Sequence, residues 1–241
     1  PAIIEHQSTA VDVVTGATRT SAAVLRATED CLRQAGADVE AFRVPPPRVD
    51  ADESVACDVC VVGGGHAGTI AALRALEEGA SVLVLEKAGR IGGRGFCPSG
   101  VSAAGAAVER EAGITLTADD LYRQLYAETA GRANNLLVRA IVDDSGPMVD
   151  WLVDHGFRAT PPRPDARPDE AFMCDFGRGQ EKFQRLYDDY LLLGGARVMT
   201  ETRALDLRLS DEGAVVGVEA QRQDGTRVHV ACKAVVVATG G

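Results

Sequence analysis

The sequence predicts an α/β protein, a parallel sheet with helices continued by a β-meander and preceded by the tail of a small α+β module. Three observations carry that prediction. Residues 54–88 read as a βαβ unit: a buried-strand pattern "SVACDVCVVGGG", a helical "HAGTIAALRALEEGA" closed by Gly79, and a second buried strand "SVLVLEKA". Its length, about 30 residues, suits a parallel crossover. Residues 197–241 hold four strand-like runs, with "DEG" and "QDG" as turn signals. A Pro-rich, acidic stretch, "VPPPRVDADES", sets all of this apart from an N-terminal helical run.

In chain order, residues 21–36 carry apolar positions 24, 25, 28, 31, 32 and 35, a helical period that Gly36 ends. The boundary falls near residue 50, so that residues 1–42 form the tail of a first domain, 43–54 a linker and 55–241 a second domain. Beyond the βαβ unit come a Gly-rich loop (89–105), helices at about 117–129 and 134–155, and a Pro-rich loop over 160–170. A helix over 179–196 then leads into strands at 197–210, 214–223, 226–233 and 234–241.

Composition narrows the function. A net charge of −10 argues against a nucleic-acid partner or an anionic membrane surface. No apolar run approaches the ~20 residues that span a bilayer, and no secretory signal is visible. The chain opens on Pro1 and stops at Gly241 directly after a strand pattern, so it is expected to be a fragment truncated at both ends, with its compartment open. Six cysteines (31, 57, 60, 97, 174 and 232) show neither a disulfide framework nor a repeated metal spacing, and no metal site is expected. Cys57 and Cys60 form a C-x-x-C within a strand. Regular alternation would point them to opposite faces, as small buried residues rather than a dithiol.

Gly63-Gly64-Gly65-His66-Ala67-Gly68 fits G-x-G-x-x-G, follows a predicted strand, opens a predicted helix and is followed by Glu86 at the end of the second strand. In that setting it is a dinucleotide-binding fingerprint. Gly63 allows the tight turn, Gly65 lets backbone N–H groups approach a pyrophosphate, and Gly68 lets the helix pack close to the strand. The helix N-terminus favours the anion, and Glu86 can accept the ribose hydroxyls. His66, where the helix starts, reads as a solvent-side or capping residue. The Gly-rich loop after Glu86 and the small-residue turn ending "AVVVATGG" both suit FAD, which is long enough to need the two contacts.

With those residues in view, "DVCVVGGGHAG", "VLVLEKAGRIGGRG", "PSGVSAAG", "VDWLVDHG", "GAVVGV" and "AVVVATGG" resemble the flavoprotein family of fumarate reductases and succinate dehydrogenases, with flavocytochrome c, urocanate reductase and 3-ketosteroid dehydrogenases. The resemblance covers about residues 55–241. It implies a Rossmann-like FAD-binding domain, with Lys87, Gly92, Gly93, Arg94, Ser99, Gly100, Ala204, Ala238, Thr239 and Gly240 joining the fingerprint residues around the cofactor. It also implies hydride transfer between the flavin and the β-carbon of an unsaturated acid. The Arg and His residues that clamp such a substrate are expected after the "ATGG" turn, in and beyond a capping domain, so no catalytic residue is named here. Membrane-bound members attach FAD to a histidine in the loop matching 94–101. That loop here is "RGFCPSGV", which implies noncovalent FAD, with Cys97 an incidental residue.

Asp12-Val13-Val14-Thr15-Gly16-Ala17-Thr18 looks like the D-x-x-[ST]-G-A-[ST] attachment motif of covalent FMN-binding domains, which makes Thr18 the residue that would carry FMN through a phosphoester. The plainer reading is a helix N-cap at Thr20 or Ser21, and the two can coexist. An FMN domain fused before an FAD domain suggests an electron inlet, and hence a reductase of a fumarate- or urocanate-like carboxylate fed by an unidentified donor. The alternatives are a dehydrogenase of the 3-ketosteroid type, with the motif only a cap, and a flavin-binding fragment with no activity of its own.

Overall fold

A computed structural model describes residues 2–11, 18–45, 50–93, 100–163, 171–176, 191 and 194–240. The described elements are, in chain order, α1 (Ala2–His6), α2 (Thr18–Gln34), a 3₁₀ turn (Val39–Phe42), β1 (Asp52–Val62), α3 (His66–Glu77), β2 (Val82–Leu85), β3 (Gly100–Ser102), α4 (Ala107–Glu111), α5 (Ala118–Glu128), α6 (Asn135–Asp154), β4 (Met173–Asp175), β5 (Arg197–Met199), β6 (Thr202–Leu209), β7 (Val215–Arg222) and β8 (Arg227–Val237). They fall into two units, residues 1–96 with 180–241, and residues 97–179.

The first unit holds a six-stranded sheet in the order β5-β2-β1-β8-β7-β6. β5, β2, β1 and β8 run parallel, and β8, β7 and β6 form an antiparallel meander. β2 and the end of β1 are apolar because both their faces are covered, as central parallel strands require: all four residues of β2 are buried, as are Cys60, Val61 and Val62 of β1. The turns marked by "DEG" and "QDG" stand as expected, with Gly213 at φ +81° and Gly225 at φ +102°. Two strand predictions are redrawn. The runs 226–233 and 234–241 form one strand, β8, whereas 197–210 breaks into β5 and β6 at a turn where Glu201 takes φ +51° without a glycine to mark it.

β1 begins at Asp52, inside the stretch read as linker. Ahead of it, the amide of Thr9 donates to Phe42 O (2.6 Å), Ser8 Oγ donates to Val44 O (2.7 Å), and the Arg43 guanidinium holds Glu29 of α2 through Nε (2.8 Å) and Nη2 (2.6 Å). α2 starts at Thr18, so Thr20 and Ser21 sit in its first turn and are not its N-cap. Residues 12–17 of the attachment motif lie outside the described residues, as do most of the helix expected over 179–196, Arg94, Cys97 and Ser99.

Cys57 and Cys60 do not point to opposite faces, as regular alternation would have them. Val55 and Cys57, then Cys60 and Val62, all pack in one core cluster with Leu83, Leu85, Val218, Val228 and Val230. Odd and even positions share a face only if the alternation slips once between them. The slip is at Asp58: its amide and that of Val59 both donate to Ser81 O (3.0 and 3.1 Å), two residues facing one as in a β-bulge. β8 slips at the matching place, since Val228, Val230 and Cys232 share the cluster with Val235. The strands therefore stay in register, Cys57 opposite Cys232 and Val59 opposite Ala234. Between those pairs Asp58 takes hydrogen bonds from the amide and hydroxyl of Ser81 (2.8 and 2.6 Å) and pairs with Lys233 Nζ (2.6 Å). Burial pushes the Cys57 thiol up to about 11 and the Cys60 thiol up to about 12.

In the second unit, β3 and β4 form a short antiparallel ribbon, Gly100 opposite Asp175. α5 starts on a Thr117–Asp120 capping box, and Asn134 caps α6 by accepting from the amides of Leu136 and Leu137. α6 holds residues 103–107 by their backbone. Ser145 Oγ accepts from Ala104 N (3.1 Å), Asp150 Oδ1 accepts from Ala107 N (2.7 Å), and a Cβ on Gly146 would stand 2.5 Å from Ala104 O. Glu109 of α4, almost fully buried, accepts from Ala106 N (2.8 Å).

Candidate functional site

The fingerprint occupies the loop from β1 into α3. The Gly63 amide donates to Leu85 O (2.8 Å) at the end of β2, while the Ala238 amide donates to Val62 O (2.8 Å), so β1 ends between two parallel neighbours. Its glycines are present for different reasons. A Cβ on Gly63, which has φ +106°, would stand 2.4 Å from Ala238 O; one on Gly68 would stand 1.8 Å from Gly63 O. Those two glycines are dictated by the protein's own backbone. A Cβ on Gly65 would meet nothing within 4 Å. Gly65 is the N-cap of α3 at φ −77°, where any residue fits, and no side-chain oxygen caps that helix end. Sterically the chain does not need a glycine there, whereas a group lying against the backbone does.

Glu86 follows β2 and is buried at 8 % exposure. Its Oε2 accepts from Gly64 N (2.8 Å), its Oε1 accepts from Ala88 N (2.7 Å), and its own amide donates to Met199 O (2.9 Å). The carboxylate thus ties the glycine loop to the turn after β2, and each oxygen keeps a lone pair for a further donor. This anchoring role is one the sequence spacing does not reveal. Gly64 also escaped notice: a Cβ there would stand 2.7 Å from Ile91 Cγ2, and its carbonyl accepts from the Gly92 amide (2.6 Å).

The remaining candidates divide. Gly92 (φ +117°) and Gly93 (φ +52°) bring the loop after β2 back over the fingerprint, a Cβ on Gly93 falling 3.2 Å from Gly65 Cα. Ala238, Thr239 and Gly240 leave β8 beside Gly63. His66 and Ala67 open α3, and Lys87 is exposed in the following turn. Ala204 packs on the core cluster from β6. Gly100 begins β3 in the second unit, closely packed on Met173. Arg94 and Ser99 lie outside the described residues, and of Thr18 the structure gives only its place as the first residue of α2. Among the described residues, no group of three or more His, Cys, Asp or Glu could hold a metal ion, and no helix is long and apolar enough to cross a membrane.

An open glycine at an uncapped helix end, a buried acid behind it and a second turn beside it fit a dinucleotide. Residues 58–241 match the model of the FAD binding domain. The chain belongs to the FAD-binding domain family. Within that family the chain is 31 % identical to vinyl phenol reductase of Lactiplantibacillus plantarum, over 76 % of this chain and 38 % of that protein. It is 29 % identical to NADH:fumarate oxidoreductase of Klebsiella pneumoniae (96 % and 25 %) and 27 % identical to urocanate reductase of Eggerthella lenta (99 % and 41 %). The chain spans less than half the length of each of these relatives. Among solved structures, a flavocytochrome c3 fumarate reductase in an open conformation superposes with a TM-score of 0.68 at 22 % identity, over 78 % of this chain and 34 % of that one. A 3-ketosteroid dehydrogenase from Rhodococcus jostii gives 0.65 at 23 %, over 81 % and 48 %. At those identities the likeness concerns the fold alone.

Proposed function

We propose that this chain is the FAD-binding part of an oxidoreductase that reduces the C=C bond of an unsaturated carboxylate, with electrons reaching a noncovalent FAD through FMN carried on Thr18. The open space at Gly65, at the N-cap of α3, is the observation that carries the flavin site. There the α3 N-terminus faces the pyrophosphate, Glu86 receives the ribose hydroxyls on its remaining lone pairs, and Gly92, Gly93 and the Ala238–Gly240 turn flank the rest. Bound FAD supplies hydride chemistry, and the protein's part is to hold and orient it. Reduction rather than desaturation is favoured by the names of the relatives, which include fumarate and urocanate reductases. Their alignments, covering 96 % and 99 % of this chain, leave no room to omit the whole of α2, which supports treating α2 and Thr18 as part of the same machine. Arginine and histidine clamps on the substrate, and the electron donor, belong to that reading without residue assignments.

The test is flavin content after denaturation. Protein made in cells that flavinylate other substrates is run on a denaturing gel. We expect flavin fluorescence that travels with the band and is abolished by Thr18→Ala, together with FAD released into the supernatant. A dark band from such cells would remove the FMN relay. Oxidation of a 3-ketosteroid, with no reduction of fumarate, urocanate or acrylate, would favour the dehydrogenase alternative.

A further inference from the structure

The coordinated slip in β1 and β8 has a chemical result. Cys57 and Cys232 are direct partners across adjacent parallel strands, both half-buried, and both pack on the same core cluster. Neighbouring strands lie about 4.8 Å apart, within the Cα separation of about 4.4–6.8 Å that a disulfide bridges. The Cys232 thiol is among the groups that raise Cys57, after burial itself. Both are free thiols in this structure, and no metal-holding set of three ligands surrounds them among the described residues.

We propose that Cys57 and Cys232 are a thiol–disulfide site, closed by exchange with a small-molecule disulfide. One cysteine thiolate attacks the small disulfide, forming a mixed disulfide and releasing one small thiolate. The second cysteine then displaces the other. Two protein S–H groups and one small disulfide become one protein S–S bond and two small thiols, so the oxidant carries off two electrons and two protons. The bond lies six residues before Gly63 on β1 and six before Ala238 on β8, so it pins together the two strands whose ends flank the glycine loop. The elevated thiol at Cys57 makes the reaction slow at neutral pH and faster in alkaline solution. This inference does not depend on the proposed substrate or on FMN.

The protein is reduced, freed of reductant and incubated with glutathione disulfide at about pH 9, where thiolate is more abundant. It is then quenched in acid and alkylated in denaturant. Cleavage before Asp58 separates Cys57 from Cys60, which tryptic cleavage does not, since no Lys or Arg lies between them. The expected result is a fall from six alkylatable thiols to four, with a Cys57–Cys232 linked peptide as the main product. Cys57→Ser and Cys232→Ser abolish that peptide and Cys60→Ser keeps it. Six thiols remaining, glutathione adducts alone, or a link through Cys60, Cys31, Cys97 or Cys174 would overturn the assignment. The measurement on the unmodified protein decides the question even where a variant folds poorly.

Discussion

Gly65 and Gly68 stand three residues apart in one motif, yet they answer to different masters. At Gly68 any side chain would meet Gly63 O at 1.8 Å, so Gly68→Ala forces α3 away from β1. We expect a loss of about 3 kcal/mol or more in chemical denaturation of the flavin-free protein. At Gly65 there is room and an ordinary φ, so Gly65→Ala costs at most about 1 kcal/mol, the difference between glycine and alanine at an N-cap. It should nonetheless weaken FAD retention by about tenfold or more, a difference of ~1.4 kcal/mol in binding. Equal effects of the two substitutions on FAD retention per folded molecule would show that the space before Gly65 is not where the cofactor lies. Spacing alone reveals these glycines, because strand, turn and helix are contiguous. It could not reveal that Glu86 spends one lone pair of each oxygen on its own loop, because the amides of Gly64 and Ala88 carry no side-chain signature.

Whole elements were legible where their signals were local and long. α5 and α6 have capping residues and several turns of apolar period; β3, β4 and α4, of three to five residues, are too short for any period to register. α4 is the most informative of these. Burial is the main reason the Glu109 carboxyl is held above the usual range, and the neighbouring Asp150 adds to it, while its second oxygen is closed off from water beside the Cys174 thiol. A raised folded value means that the native state binds the proton more tightly than the unfolded chain. The stability this adds is complete below about pH 4.3, the unfolded value, and declines as pH rises through the folded value. Glutamine mimics the protonated acid and can still accept from Ala106 N. Glu109→Gln should therefore gain stability relative to the parent between about pH 4 and pH 8, measured by denaturant titration at both ends. A constant difference at every pH would mean that Glu109 is not held protonated. Gly146 and Ser145, which seat residues 103–107, depend on the same arrangement.

Across the whole molecule, the parallel sheet, the meander after it and the family were readable because the glycine fingerprint and the turn signals are contiguous in the sequence; the order of the strands was not. The slip in β1 was not, since nothing breaks the strand there; the one available hint was a charge of opposite sign in each of two apolar strands, Asp58 and Lys233. That pair also ties together two positions 175 residues apart in a way that inheritance would notice. Removing Asp58 alone leaves the extra residue of β8 unmatched, so that Asp52–Cys57 lose a step of register against β8 or Lys233 is left as a bulge on one strand only. Removing Lys233 alone does the same damage from the other side. Removing both leaves two regular strands with Val55, Cys57, Cys60 and Val62 still on one face and still opposite their old partners. The double deletion should therefore yield folded, soluble protein where either single deletion does not, as judged by a cooperative melt. Only an exposed ion pair, worth under about 1 kcal/mol, and the Ser81 bonds to Asp58 would be given up. Length changes in this sheet can then be passed on only as matched pairs, so that β1 and β8 behave as one heritable unit despite the distance between them.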